Sequence, residues 1–238
     1  MNFDGIPKLI AVIEEKIDNA TLLDLKHNGV TVLELRIDIL SKEVPNYREY
    51  LDEIIKFGYF DLIGTIREND ENIDNRIEMF NALIPKVHCI DIEFDCDILD
   101  EVIALIKKHD KTVMISHHDY DSTPSENELL NIIKTSKGKG ADLIKIAVMA
   151  NSDNDVKTLM KVTMDRQDDN LITISMGSIG KITRIIAPEF GSLMTYAYIN
   201  KPVAPGQLSV SSLHEELRNH YSKYNEKYII ENEILECV

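Results

Sequence analysis

A lysine inside an apolar run raises the first chemical question. Lys145 lies in LIKIAVM, residues 143–149, with Ile144 and Ile146 on either side. Such a side chain either snorkels outward or ends in a sheltered mouth. Burial or a neighbouring cation disfavours its ammonium form. A lysine treated that way becomes an amine able to form an imine with a carbonyl substrate. The alternative is an ion pair with a carboxylate such as Glu34 or Asp91. His117 and His118 form a second candidate. Adjacent strand residues point to opposite faces, so the two cannot chelate one metal together. No H-E-x-x-H motif or Cys/His cluster occurs elsewhere, so a metal site has little support. One of these histidines facing a mouth would be a general acid/base near neutral pH. The alternative is a core histidine held by a hydrogen bond.

Other polar residues gather at the ends of apolar runs. They are Glu34, Arg36 and Asp38, then Thr65 and Arg67, then Asp91 and Glu93, then Ser116, His118 and Asp119. Residues two apart share a strand face, so Glu34 with Arg36, or Ser116 with His118, can enter one mouth. Any one pair could be an ion pair at a strand end; five successive ends point to a site. In SMGSIGKITRI, residues 175–185, Gly177 and Gly180 precede a helical stretch, which suggests an anion-binding turn. Arg184 adds a cationic fork suited to a carboxylate or phosphate. KPVAPGQLSV, residues 201–210, reads as a loop over the mouth, a lid with Gln207 as its polar handle. It could equally be a plain connection to the last helix, HEELRNHYSKY.

Eight short apolar runs must position these residues: 9–13, 31–37, 61–66, 89–94, 112–116, 143–149, 171–176 and 193–198. Near-continuous Ile, Val and Leu suit parallel strands covered on both faces. Helical patterns alternate with them. In DILDEVIALIKKHD, Leu99, Val102, Ile103 and Ile106 share a face, with Asp97 as the expected N-cap. NYREYLDEIIKFG ends at Gly58, a C-cap. SENELLNIIKTSKGKG offers Ser125 and Glu128 as a capping box. DNDVKTLMKVTM is a further helix. Eight βα units predict a closed (β/α)8 barrel with its chemistry at the C-terminal strand ends. A doubly wound sheet is the runner-up, weakened because no G-x-G-x-x-G follows the first strand.

The 238 residues suit one such barrel, and no linker divides them, so one domain over residues 1–238 is expected. The composition, 44% hydrophobic and 28% charged, supports a large core. A net charge of −15 repels phosphate backbones and anionic membranes, so an anionic substrate needs local cations. Cys89, Cys96 and Cys237 read as free thiols in a reducing cytoplasm. The N-terminal segment lacks the pattern of a signal peptide, and no run is long enough to span a membrane.

Taken together, the segments resemble the type I 3-dehydroquinate dehydratases. The resemblance is carried by ELR at 34–36, TIR at 65–67 with Glu71 behind, DIE at 91–93 and SHHDYDSTP at 116–124. It continues through KIAVM at 145–149, SMGSIGKITR at 175–184, EFGS at 189–192 and APGQ at 204–207. It implies a (β/α) barrel, usually a homodimer, needing no metal or organic cofactor. It implies dehydration of 3-dehydroquinate to 3-dehydroshikimate in the shikimate pathway of aromatic amino acid biosynthesis. Lys145 matches the imine-forming lysine, His118 the acid/base and Glu71 the acid that orients that histidine. Glu34, Arg36, Arg67, Arg184 and Gln207 match substrate contacts. The chain departs from the family pattern at Val12 and Val203, where serine is frequent, and at Glu71-Asn72-Ile73, where Glu-Gly-Gly is frequent. A sugar-phosphate aldolase of the Schiff-base class, and a barrel without catalysis, are the competing readings. HDYDSTP and APGQ weigh against the first, and the pairing of His118 with Lys145 against the second.

Overall fold

The computed structural model describes residue 3 and residues 5–236, with side chains as far as residue 229. Cys237 lies outside the described residues. Strands and helices alternate from the start. Strand β1 (Lys8–Ile13), helix α1 (Asn19–His27), β2 (Val30–Arg36), α2 (Ile37–Glu43), α3 (Tyr47–Phe57), β3 (Asp61–Thr65) and α4 (Arg76–Leu83) form the first part. Then come β4 (Cys89–Glu93), α5 (Leu99–Lys108), β5 (Thr112–Asp119), α6 (Glu126–Lys139), β6 (Leu143–Met149) and α7 (Asp153–Asp165). The chain ends with β7 (Leu171–Met176), the short α8 (Gly177–Gly180) and α9 (Thr183–Ile186), β8 (Met194–Tyr198), β9 (Leu208–Ser209), α10 (Val210–His220) and α11 (Ser222–Glu236). Among the described residues, no helix is long and apolar enough to cross a membrane.

All ladders are parallel, in the order β7-β6-β5-β4-β3-β2-β1-β8-β9. The sheet curls until β8 meets β7. That seam has no regular ladder among the described residues. It is closed by the Leu193 N–H donating to the Leu171 carbonyl at 2.8 Å and by the Thr173 N–H donating to the Ser192 hydroxyl at 3.0 Å. The expected barrel is therefore present, with a looser eighth junction and a short ninth strand that the run count did not contain.

The two-residue period of the strands divides the barrel interior into storeys. The floor takes one side chain from each of the eight main strands, from Ile10 of β1 through Met114 of β5 to Met194 of β8, all essentially inaccessible to solvent. Burying one aliphatic side chain of this size stabilises by about 1.5–3 kcal/mol, so the floor is a packed plug that keeps water out from below. Two residues further along each strand comes a middle storey: Val12, Glu34, Thr65, Asp91, Ser116, Lys145, Ile174 and Tyr196. Two further still, Arg36, Arg67, Glu93, His118, Ala147 and Met176 form the mouth. The opposite parity faces the helices. Leu33, Ile90 and Ile115 there pack with Phe80, Val102 and Ile106.

Local signals hold in most places. Gly58 closes α3, and Ser125 with Glu128 forms the capping box of α6. Ser152 and Asp155 form another at α7. Asp97 does not cap α5; the cap position is Ile98, with no side-chain hydrogen bond. Strand β5 runs to Asp119 instead of stopping at 116, which carries His118 on a strand and not in a loop. The final helical pattern is two helices, α10 and α11, not one.

Gly180 is required by contact. A Cβ there would overlap the backbone carbonyl of Ser175. Gly180→Ala should therefore push the segment carrying Arg184 away from β7. The expected loss is about 1–3 kcal/mol, read as a lower urea midpoint.

Candidate active site

A cavity of about 340 Å³ opens at the C-terminal end of the barrel, between the middle storey and the loop after β8. Seven of the eight sequence-predicted site residues line it: Lys145, His118, Glu34, Arg36, Arg67, Arg184 and Gln207. The eighth, Glu71, does not.

Lys145 is only 5% exposed. Its Nζ lies 3.1 Å from Asp91 Oδ2, 3.2 Å from Glu34 Oε2, and 4.2 Å from the centre of the Tyr196 ring. The ion pair and the mouth, alternatives in the sequence, are thus both realised. The carboxylates are themselves held. Arg67 meets Asp91 Oδ1 at 2.9 Å, the Ser116 hydroxyl donates to the same oxygen at 2.5 Å, and the Thr65 hydroxyl donates to Glu34 Oε1 at 3.0 Å. Burial alone would raise the Asp91 carboxyl, but the charges of Arg67 and Lys145 outweigh it and hold the group well below its usual range.

His118 sits on β5 beside Ala147 of β6, two residues above the Ser116–Lys145 pairing. Its ring stacks on Tyr120, with centroids 6.2 Å apart. Burial comes first in lowering its pKa well below 6.5, and the charges of Lys145 and Arg67 add to it, against a smaller pull from Asp91. The imidazole is therefore neutral at physiological pH, the form that accepts a proton. His117 points the other way, edge-on to Phe94 and 3.7 Å from Asp95.

Arg184 is the cation in this cavity without a carboxylate among the described residues. Its Nη1 and Nη2 donate to the carbonyls of Tyr196, at 3.4 Å, and Pro205, at 3.2 Å, and its Nε is buried with no partner. Burial pushes its pKa down to about 10, which leaves it charged at neutral pH. Arg36, by contrast, already carries Asp38 as a two-pronged partner and Glu14 at 3.2 Å.

Two expectations gain detail from the structure. In the Gly177 turn, the Gly177 N–H donates to the Pro205 carbonyl at 3.2 Å, which ties the turn to the 203–207 loop. A Cβ at Gly206 would overlap the Gly177 carbonyl, which shows how closely the two backbones approach. Gln207 accepts from the Val203 N–H at 2.8 Å and braces this loop over the cavity. The second concerns Glu71, whose side chain is 70% exposed and pairs with Lys42 at 2.9 Å. Asn72 turns inward in its place, donating to the Arg67 carbonyl at 2.8 Å, while its side-chain oxygen accepts from the Asn69 N–H at 3.0 Å. That Asn turn occupies the position where the family pattern reads glycine. Sequence reasoning missed Tyr196 and the apolar wall of Ala147, Ile174 and Met176; the inward parity of β6, β7 and β8 carries the signal that would have found them.

A family model described as type I 3-dehydroquinase matches residues 6–223. The chain belongs to the type I 3-dehydroquinase family. The 3-dehydroquinate dehydratase of Methanocella arvoryzae is 37% identical over 225 residues, covering 90% of this chain and 97% of that protein. That of Methanococcoides burtonii is 36% identical, covering 87% and 91%. Among solved type I 3-dehydroquinases and their relatives, the Clostridium difficile type I 3-dehydroquinate dehydratase, with covalent modified comenic acid, superposes with a TM-score of 0.80. It is 27% identical and the match covers 92% of this chain and 94% of that one. The 3-dehydroquinate dehydratase of Aquifex aeolicus gives a TM-score of 0.74 at 33% identity, covering 90% and 99%.

The neutral His118 has a consequence for stability. Below pH 6.5 the unfolded chain takes up a proton on this histidine that the folded chain does not, so stability falls as pH drops. His214, lowered to about 4 by burial, acts in the same direction. Each contributes at most about 1.4 kcal/mol per pH unit. Urea unfolding at pH 7.5 and 5.5 should show this loss, and His118→Gln should reduce it by one histidine's share.

Proposed function

We propose that Lys145 forms an imine with the ketone of 3-dehydroquinate and that His118 moves the proton in the dehydration that follows. As a type I 3-dehydroquinase the chain is a hydro-lyase. The observation that supports the mechanistic reading is one cavity holding a buried lysine, a neutral imidazole and an arginine without a counter-charge among the described residues. A keto acid needs those three.

In this reading Arg184 takes the substrate carboxylate and fixes the ring over Lys145. The Lys145 amine adds to the ketone carbon and water leaves, giving an iminium. The iminium draws electrons and acidifies the adjacent C–H. Neutral His118 takes that proton, and as imidazolium returns it to the hydroxyl that departs as water. Arg36, Arg67, Glu34 and Gln207 contact the substrate ring. Glu71 enters only through a rearrangement of the 69–72 turn on substrate binding; in the present arrangement Asp91 is the carboxylate whose charge acts on His118. We further take residues 1–238 as one catalytic barrel domain, working as a cytoplasmic homodimer without cofactor, as the family resemblance implies. The net charge of −15 supports a soluble protein that avoids nucleic acid.

Borohydride reduction in the presence of 3-dehydroquinate should leave a mass adduct on the peptide containing Lys145. An adduct elsewhere, or none, would sink the reading. Lys145→Ala should keep its circular dichroism spectrum and lose turnover. Arg184→Ala should raise KM by roughly 30-fold or more, the loss of one buried charge-assisted pair.

A further inference from the structure

We propose that Val12 and Val203 are specificity-determining residues: together they form the partition that limits how large a ring substituent the substrate can carry. The proposal rests on the reading above, in which 3-dehydroquinate occupies the cavity, and adds the outer bound of that substrate class.

The C-terminal face of the barrel holds a second cavity. Beside the 340 Å³ space of Lys145 lies one of about 400 Å³. Ile17, Ile39, Glu14, Glu15, Glu43 and Lys201 line it, so its walls are aliphatic and, where charged, mostly acidic. Among the described residues, Val12 and Val203 alone line both spaces. Two short aliphatic side chains therefore stand between them.

Both are fixed. Val12 is buried on β1, in register with Glu34 of β2. Val203 is held through its backbone. Its N–H donates to Gln207 Oε1 at 2.8 Å, and the Pro205 carbonyl nearby accepts from the Gly177 N–H at 3.2 Å. A branched Cβ leaves valine few rotamers, so neither side chain is a long arm that swings aside. With the ketone carbon at Lys145 and the carboxylate at Arg184, the two ring hydroxyls that the reaction retains are left to meet the other walls, these valines among them. A group added to either hydroxyl then presses on methyl groups. An apolar wall of this kind discriminates by contact, about 10–200-fold for one methylene. With the wall truncated, the same group enters the second space.

The test is kcat/KM for 3-dehydroquinate and for its O-methyl and O-propyl ethers at each retained hydroxyl. In the parent, propyl should fall below methyl by about tenfold or more. Val12→Ala with Val203→Ala should shrink that gap by about tenfold or more. Val203→Ala alone, at an exposed position, should give part of the gain and keeps the test available if the double change unfolds the barrel. Met176 lines the first cavity and not the second. Met176→Ala removes more atoms than either valine change, yet should leave the gap as in the parent. A propyl ether ending in a carboxylate should gain less than the plain one, because Glu14, Glu15 and Glu43 outnumber Lys201 beyond the partition. If folded valine variants that turn over 3-dehydroquinate keep the parent's gap, the proposal is overturned. It is overturned as well if Met176→Ala closes the gap equally, since the limit would then be the volume of the first cavity. An equal gain for the carboxylate tail would place the tail elsewhere and overturn it too. Failure of the parent to turn over 3-dehydroquinate would instead overturn the earlier reading, so the two failures are separable.

Discussion

The structure turns on one positive charge kept out of water, the ammonium of Lys145 between Glu34 and Asp91. A buried charge is tolerated only when its partners are themselves satisfied. Here the partners come from four other strands: Glu34 and Thr65 from β2 and β3, Asp91 and Ser116 from β4 and β5, with Arg67 just past β3. No single hairpin or helix pair could bring those groups together. A closed ring of parallel strands does so because every strand presents its inward residue at nearly the same height. The barrel and the buried cluster are in that sense one requirement. The apolar floor beneath completes it by denying the cluster a water molecule from below.

The same frame explains what could be read from the sequence. The runs of Ile, Val and Leu marked all eight main strands, and polar residues two apart marked which way those strands face. Lys145, His118, Glu34, Arg36 and Arg67 follow from that parity. Gly58, Ser125 and Glu128 were legible because their effects are local. Asp97 was not, since a side chain of the right type one residue early makes no cap. Glu71 was placed by resemblance alone. Its position depends on the hydrogen bonds of Asn69 and Asn72, which decide the direction of an exposed turn and leave no periodic mark. The partner of Gly177 was not legible for a related reason. A free N–H at a helix start looks the same in sequence whether an anion or a loop carbonyl takes it, and here Pro205 takes it.

Charge works on two scales in this molecule. The surface, with a net −15, opposes any anion at long range. Inside the cavity the balance reverses locally. Arg36 and Arg67 are committed to carboxylates, and Arg184 is left with only backbone oxygens. Buried and without a carboxylate among the described residues, it is a cation open to an incoming acid. In the proposed function, selection of a small acid would rest on this guanidinium and on the wall around it.

That guanidinium is held by the carbonyls of Tyr196 and Pro205, not by side chains. Every amino acid supplies a carbonyl. The side chains that flank the grip, Val203 and Ala204 among them, therefore do not set the aim of the arginine. A change of side chain at the rim, from hydroxyl to methyl, leaves both carbonyl acceptors of the guanidinium in place.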